Sequence, residues 1–199
     1  MQGETQENFF VELLKFFLIA VIIVIPIRLW VAQPFIVSGA SMEPTFDTGQ
    51  YLIIDEFSYN NFTDPKRGEV IIFRYPLNTS EFFIKRIVGL PGETVTIANE
   101  NVYITGTDGV ARLLPEPYIV NKGDGSPQSV TLTANQYFVM GDNRPDSSDS
   151  RVWGPVPRQD IVGRAFVRLL PIDKLSSWPG MFHSTLSTST EAVPHIIND

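Results

Sequence analysis

Residues 81–90 read EFFIKRIVGL, a short run of β-branched and aromatic side chains that ends near a glycine. Runs of this kind between turn-forming residues are typical of β-strands. Seven further runs share this character: QYLIIDEF (50–57), GEVIIFRY (68–75), ETVTIA (93–98), NVYITG (101–106), SVTLT (129–133), QYFVMGD (136–142) and VGRAFVRLL (162–170). Together they predict a mainly β domain of antiparallel strands, as a barrel or a sandwich.

The composition changes along the chain and suggests how it is divided. We expect a tail at residues 1–8 and a β domain over residues 35–182. A more polar, turn-rich stretch within that domain predicts an insert of short β-hairpins at about 94–136. Residues 183–199 are rich in Ser and Thr and aperiodic, which predicts a mobile C-terminal tail.

Residues 9–31 read FFVELLKFFLIAVIIVIPIRLWV and predict a single transmembrane helix. About 20 mainly apolar residues cross a hydrocarbon layer of about 30 Å. A cleaved signal peptide is the alternative, but it needs small residues soon after the apolar core, where Trp30 and Pro34 stand. Lys15 precedes most of the run and Arg28 follows it, so the positive-inside rule does not fix the orientation.

The composition of the 199 residues excludes several kinds of chemistry. A net charge of −7 argues against a nucleic-acid partner, because such proteins carry a basic surface. The absence of cysteine removes disulfides, thiolate metal ligands and thiol nucleophiles. The two histidines, His183 and His195, both lie near the C-terminus. We expect neither a metal ion nor a cofactor.

Two serines follow the apolar run in SGASMEPTF, residues 38–46, and a serine nucleophile needs a base. Both histidines lie at or beyond the edge of the predicted fold, so lysines and carboxylates remain as bases, and a lysine can act only if it is neutral. Strand alternation places Lys85 between Phe83 and Ile87 on one face, an apolar setting that lowers a lysine pKa. The alternative is an inward-pointing charge that guards an edge strand, and the pattern alone leaves both open.

A third stretch, GDNRPDSSDSRVWG at residues 141–154, combines turn formers with charges. It predicts either a rigid, internally hydrogen-bonded loop or an ordinary solvated one. A calcium-binding EF-hand loop is excluded. Counted from Asp142, Arg144 stands where an oxygen ligand is needed and Ser147 stands where glycine is needed.

These stretches resemble the type I signal peptidases of bacteria, which are membrane-bound Ser–Lys proteases. The likeness also includes RGEVIIF (67–73) and FIKRIVGLPGE (83–93), in the same order, and extends from residue 35 to about 168. It implies a β-barrel-like catalytic domain behind a single-pass anchor in the cytoplasmic membrane, on its extracytoplasmic face. The implied partners are preproteins bearing signal peptides and the lipid bilayer, and no nucleic acid.

Matched position by position, the resemblance implies that Ser41 is the nucleophile and Lys85 the general base. Ser147 matches a serine that orients the lysine amine. Asp149 and Arg151 match a structural ion pair, and Asp142 matches a supporting carboxylate. Four further residues match the walls of the pockets for small substrate side chains, with plain core packing as the alternative for each: Phe35, Val37, Met42 and Ile84.

The chain departs from the family pattern at two places. Gly39 stands where some members have a serine that helps to bind the oxyanion, so the second oxyanion donor is unassigned. Pro145 and Asp146 stand where Asp-Asn or Asn-Asn is usual, and Pro145 removes an N–H donor from the loop. The competing hypotheses are a non-catalytic tethered β domain, a self-cleaving Ser–Lys repressor-type protein and a secreted β protein with a cleaved leader.

Overall fold

The computed structural model describes residues 4–26, 32–123, 126–183 and 186. It is mainly β, with antiparallel sheets behind an N-terminal helix. The α-helices are α1 (Glu4–Pro26), α2 (Phe57–Asn61) and α3 (Ser150–Trp153), and two single-turn 3-10 helices lie at Arg158–Asp160 and Ile172–Lys174. The strands are β1 (Ala32–Ile36), β2 (Tyr51–Asp55), β3 (Val70–Tyr75), β4 (Asn78–Gly89), β5 (Thr94–Ala98), β6 (Asn101–Thr105), β7 (Ala111–Leu113), β8 (Gln128–Thr131), β9 (Gln136–Met140), β10 (Val156–Pro157), β11 (Ile161–Leu170) and β12 (Ser176–Ser177).

The larger sheet has the strand order β1-β2-β11-β3-β4-β9-β10, with β12 paired to β11. Three strands lie between β1 and β4 in this order, yet the rings of Phe35 in β1 and Phe82 in β4 have centroids 5.5 Å apart. The sheet therefore curls until the edge of β1 approaches β4. This curvature decides where the functional site forms.

All eight strands predicted from the sequence are present. The strand predicted at residues 81–90 begins three residues earlier, at Asn78. It pairs with β3 on one side and, from Arg86 onward, with β9 on the other, so the part of β4 that precedes Arg86 keeps one free edge. The strands missed by the sequence are short or carry little apolar pattern: β1, β7, β10 and β12.

The smaller sheet, ordered β7-β6-β5-β8, packs on the end of the larger one. Its apolar face shares one buried cluster with Val88 of β4 and Phe138 of β9. The two sheets meet closely at Gly89, where an added Cβ would lie 2.4 Å from a methyl group of Val95 and 2.9 Å from Leu132. The sheets are thus joined by a continuous core.

The described part of the predicted membrane segment is helical, and α1 begins at Glu4, inside the predicted N-terminal tail. Among the residues that the structure describes, no helix is both long and apolar enough to cross a membrane. Residues 27–31 of the predicted anchor lie outside the described residues. Most of the predicted C-terminal tail, residues 184, 185 and 187–199, also lies outside them.

Candidate active site

Ser41 opens a tight turn that follows β1. The turn is fixed by the backbone N–H of Phe46, which donates to the carbonyl of Met42 at 2.9 Å. The side chains of Met42 and Phe46 are completely buried in the core of the larger sheet. Burial of this apolar pair anchors the turn, while the Ser41 hydroxyl is left at its surface.

Lys85 lies in the middle of β4 and reaches this turn. Its Nζ atom donates to Ser41 Oγ at 2.7 Å and to the carbonyl of Ile84 at 3.0 Å. It also lies 5.4 Å from the ring centroid of Phe83, as strand alternation predicts. The structure therefore brings together the two residues that the sequence pointed to as nucleophile and base.

The environment of Lys85 favours the neutral amine. Only 4% of the residue is exposed, and burial lowers the pKa of Lys85 from 10.5 to about 8. The carboxylates of Asp149 and Asp142 act against this shift, and the charge of Arg151 adds to it. A buried lysine that titrates near physiological pH can take a proton from a hydroxyl, which an ordinary lysine cannot.

Asp149 accepts several of the hydrogen bonds that hold the loop 141–154 together. Its carboxylate accepts hydrogen bonds from the Ser147 hydroxyl at 2.7 Å, the Gly141 N–H at 2.9 Å and Arg151 Nε at 2.8 Å. Burial acts to raise the pKa of Asp149, but the hydrogen bonds and charge of Arg151 outweigh it and hold that pKa below its ordinary value. The predicted Asp149–Arg151 pair is thus present, and the solvated-loop alternative is wrong.

Ser147 lies beside the dyad but is engaged with Asp149. Its hydroxyl proton points to Asp149, and the described hydrogen bonds of Lys85 Nζ go to Ser41 and Ile84. Gly141 separates Ser147 from the nucleophile: an added Cβ there would lie 2.2 Å from Ser147 Oγ and 2.4 Å from the Ser41 carbonyl oxygen. Ser147 is therefore close to Ser41. Because its proton is used in the bond to Asp149, its oxygen can only accept a further hydrogen bond.

Asp142 has a partner that the sequence did not reveal, the neighbour of Lys85 in β4. Arg86 Nε donates to Asp142 Oδ1 at 2.8 Å and its Nη2 to Oδ2 at 2.6 Å, with both side chains almost fully buried. The hydroxyl of Thr45 donates to the same carboxylate. One buried ion pair thus joins the strand of the lysine, the turn of the serine and the loop 141–154.

A second buried ion pair connects the loop to the segment after β7. Arg144 pairs with Glu116, and its Nε donates to the Gly141 carbonyl at 2.9 Å. Tyr118, two residues after Glu116, stacks under the guanidinium of Arg86 with 3.9 Å between Cζ and the ring centroid. The segment 116–118 therefore supports both arginines behind the site.

Three residues that support the site were not predicted from the sequence: Arg86, Glu116 and Tyr118. Arg86 could have been found, because a charged residue within a strand that is covered on both faces needs a buried partner. Glu116 and Tyr118 carry no such signal, since they lie in a polar stretch whose path over the site is set by the tertiary fold.

A cavity of about 290 Å³ opens beside Ser41 and Lys85, between β1 and β4. Three of the four predicted substrate-binding residues line it: Phe35, Val37 and Ile84. The fourth, Met42, has no exposed surface and belongs to the core, which is the packing alternative. The cavity walls are mainly apolar and suit small apolar side chains.

The N–H groups of the turn limit the choice of oxyanion donors. The Gly39 N–H donates to the Thr48 hydroxyl at 3.1 Å and is occupied. Within the described residues, the Ser41 N–H has no acceptor and is free to bind a developing oxyanion. Gly39 has no side chain that could supply the second donor. Its φ of 93° is in the region that favours glycine, and the space where a Cβ would lie is open.

The described parts of the chain offer few other catalytic groups. No cluster of three or more acidic or histidine side chains in those parts could hold a metal ion. His183 is exposed, and His195 lies outside the described residues. Serine and lysine chemistry is therefore what this arrangement offers.

Comparison with known proteins gives a consistent result. The family model for signal peptidase, peptidase S26, matches residues 10–170. A probable signal peptidase I-2 of Synechocystis is 41% identical over 174 residues, which cover 85% of this chain and 77% of the relative. Signal peptidase I of Pseudomonas fluorescens is 31% identical, covering 87% and 78%. Signal peptidase I P of Bacillus subtilis subsp. natto is 34% identical, covering 83% and 91%.

A crystal structure of a signal peptidase I from Enterococcus faecalis is 33% identical and matches with a TM-score of 0.44, covering 51% of this chain and 97% of that one. From the family match over residues 10–170 and the 41% identity to the Synechocystis relative, the chain belongs to the signal peptidase family, peptidase S26. Its activity is that of a signal peptidase I, a serine endopeptidase that cleaves signal peptides from secreted preproteins.

Proposed function

We propose that Ser41 is the nucleophile of the peptidase reaction and that Lys85 is its general base. The observation that supports this most directly is the 2.7 Å hydrogen bond from Lys85 Nζ to Ser41 Oγ in a buried setting. The pKa of Lys85, lowered to about 8 by burial, leaves a useful fraction of the amine neutral at pH 7–8.

In the proposed reaction, neutral Lys85 takes the hydroxyl proton as Ser41 Oγ attacks the scissile carbonyl carbon. The Ser41 N–H binds the oxyanion of the tetrahedral intermediate, a kind of contact often worth about 3–4 kcal/mol. Lys85 then returns the proton to the leaving amine, and the signal peptide remains as an ester on Ser41. Lys85 next takes a proton from water as the water oxygen attacks the ester carbonyl carbon. The bond to Ser41 Oγ then breaks, Lys85 gives the proton to Oγ, and the signal peptide leaves with a free carboxyl group.

The supporting residues act by holding this geometry. Asp149 and Arg151 fix the loop 141–154, and Asp142 ties it to β4 through Arg86. Ser147 is proposed to orient the lysine amine by accepting a hydrogen bond once the Ser41 proton moves. We expect Ser147→Ala to lower kcat more than it raises KM, because the substrate pocket is unchanged.

The substrate is proposed to bind as an extended strand in the gap between β1 and β4. On that side β1 has no partner strand in the described residues, and the pairing of β4 with β9 begins only at Arg86. Two strand edges with free N–H and C=O groups therefore border the cavity, which suits β-strand addition. Phe35, Val37 and Ile84 then form shallow walls for the small side chains at −1 and −3.

We further propose that residues 9–31 anchor the protein in the cytoplasmic membrane as a single pass, with the catalytic domain on the extracytoplasmic face. Large apolar side chains of α1 are more than half exposed, among them Phe16, Leu18 and Ile22. Such a surface favours lipid over water. The catalytic domain is assigned to residues 35–182, as a barrel-like β fold with its insert at about 94–136.

One assay tests the dyad. Detergent-solubilised protein is mixed with a preprotein that bears an Ala-x-Ala site, and the cleaved product is quantified. Wild type should cleave, whereas Ser41→Ala, Lys85→Ala and Lys85→Arg should not, because arginine cannot act as a neutral base. Normal cleavage by Ser41→Ala or Lys85→Ala would refute the assignment.

The anchor is tested in cells by fractionation of the full chain. Leu18→Lys combined with Ile22→Lys should move the protein out of the membrane fraction, because each charge costs about 3 kcal/mol at a helix centre in a bilayer. Leu77→Lys combined with Val120→Lys is the matched control, since both residues are exposed and apolar but lie in the β domain. Membrane retention of the first double variant would contradict the anchor.

A further inference from the structure

Asp146 is the exposed carboxylate on the wall of the active-site cavity. Of the residues that line this cavity, Asp146 and Lys85 are the two with ionisable side chains. Lys85 is buried and acts in its neutral form, whereas Asp146 is exposed to solvent. When the site is ready to react, the charge that a substrate meets on this wall is therefore that of Asp146.

The position of Asp146 is set by contacts with the turn of the nucleophile. One amide nitrogen, Asn143 Nδ2, donates to Asp146 Oδ2 at 3.2 Å and to the carbonyl of Ala40 at 3.1 Å. Asp146 is thus two hydrogen bonds away from the residue that precedes Ser41. The fixed φ of Pro145, immediately before it, restricts the backbone further.

The protein does not neutralise this carboxylate. Within the described residues, no lysine, arginine or histidine lies at ion-pair distance from Asp146, in contrast to Asp142 and Asp149. Its one described side-chain partner is the uncharged amide of Asn143.

We propose that Asp146 selects substrates by charge, favouring a basic side chain and disfavouring an acidic one next to the scissile bond. This rests on the proposed function, since it takes the cavity to be the substrate site. A single partly solvated pair contributes modestly, and we expect about a two- to fivefold gain in kcat/KM for each favourable pairing. The preference should weaken at high salt, as for any exposed pair.

The effect on substrate choice is separable from the chemistry of the dyad. The carboxylates that act on the pKa of Lys85 are Asp149 and Asp142, and Asp146 is not among them. Removing the charge of Asp146 should therefore leave the pH dependence of cleavage in place. A residue that merely supported the fold would change the rate for all substrates equally.

The experiment uses the full chain in detergent and preproteins with an Ala-x-Ala site. Lys, Gln or Glu is placed singly at −2, +1 or +2, and kcat/KM is measured for wild type, Asp146→Asn and Glu43→Gln. Glu43 is the matched control, because it is an exposed carboxylate two residues after Ser41 that does not line this cavity. Each assay is repeated at about 0.5 M salt.

We expect wild type to have a higher kcat/KM for the Lys substrate than for the Glu substrate at one or more of these positions. This Lys/Glu ratio of kcat/KM should fall toward one in Asp146→Asn and at high salt. It should not fall in Glu43→Gln. An unchanged ratio in Asp146→Asn, or an equal change in Glu43→Gln, would overturn the proposal. Ser41→Ala serves as the separate test of the dyad. Normal cleavage by Ser41→Ala would refute the proposed site, and the charge selection with it. An inactive Ser41→Ala, together with an unchanged Lys/Glu ratio of kcat/KM in Asp146→Asn, would refute the charge selection alone.

Discussion

Lys85 Nζ and Ser41 Oγ lie 2.7 Å apart although 44 residues separate them in sequence. Ser41 lies in the turn after β1 and Lys85 in the middle of β4, with three strands between β1 and β4 in the order of the sheet. The contact exists because the sheet curls until these two strands approach. The gap that remains between them is the cavity at which the substrate is proposed to bind.

The rate of cleavage should rise with pH through about 8. Lys85 acts as the neutral amine, and burial lowers its pKa to about 8, so the active fraction grows as the pH passes that value. The measurement is kcat/KM from pH 6 to 10 with one preprotein. A rise in kcat/KM centred near pH 10.5, the pKa of a free lysine, would contradict the buried setting.

Lys85→Met should stabilise the protein while abolishing cleavage. The folded-state pKa of about 8 lies about 2.5 units below the ordinary 10.5, so keeping Lys85 protonated in the fold costs up to about 3 kcal/mol below pH 8. This cost disappears between pH 8 and 10.5, where the unfolded chain binds the proton and the folded chain does not. Wild type should thus approach the variant in unfolding free energy as the pH rises through that window.

The measurement is denaturant unfolding of both proteins at pH 7 and pH 10. A difference that stays constant with pH would show that Lys85 is not desolvated. Ser41→Ala is the control, because it removes the partner of the amine without removing the buried charge.

Gly141→Ala should abolish most activity. The added Cβ would lie 2.4 Å from the Ser41 carbonyl oxygen and 2.2 Å from Ser147 Oγ, so both the turn and the loop must shift. A displacement of about 1 Å at the nucleophile can cost roughly 100-fold in rate. Gly106→Ala is the control, since an added Cβ there has only a side-chain oxygen of Asp108 within 4 Å, at 3.4 Å. Equal activity of the two variants in the cleavage assay would argue against this steric role.

Asp142→Ala should destabilise the fold strongly. It leaves the guanidinium of Arg86 buried without its carboxylate, and removing one partner of a buried ion pair costs about 3–5 kcal/mol. Asp108→Ala removes a carboxylate from the exposed pair with Arg112 and should change the melting temperature little. Thermal unfolding of the two variants beside wild type makes the comparison, and similar losses in both would contradict it.

The strands and the chemistry were largely readable from the sequence. The eight main strands follow from runs of β-branched and aromatic residues, because these side chains fit a pleated sheet buried on at least one face. The exclusion of cysteine and histidine pointed to lysine, and alternation placed Lys85 between Phe83 and Ile87. These properties are local, so each could be inferred from a few neighbouring residues.

The tertiary structure decided what depends on distant contacts. Met42 is core rather than pocket wall, and Arg86 pairs with Asp142, because the curl of the sheet brings segments together that are far apart in sequence. Glu116 reaches Arg144 only because the second sheet packs on the end of the first. The sequence by itself determined which groups could react and which strands would carry them. Only the fold determined how they meet, because burial and long-range hydrogen bonds are set by packing between segments far apart in the chain.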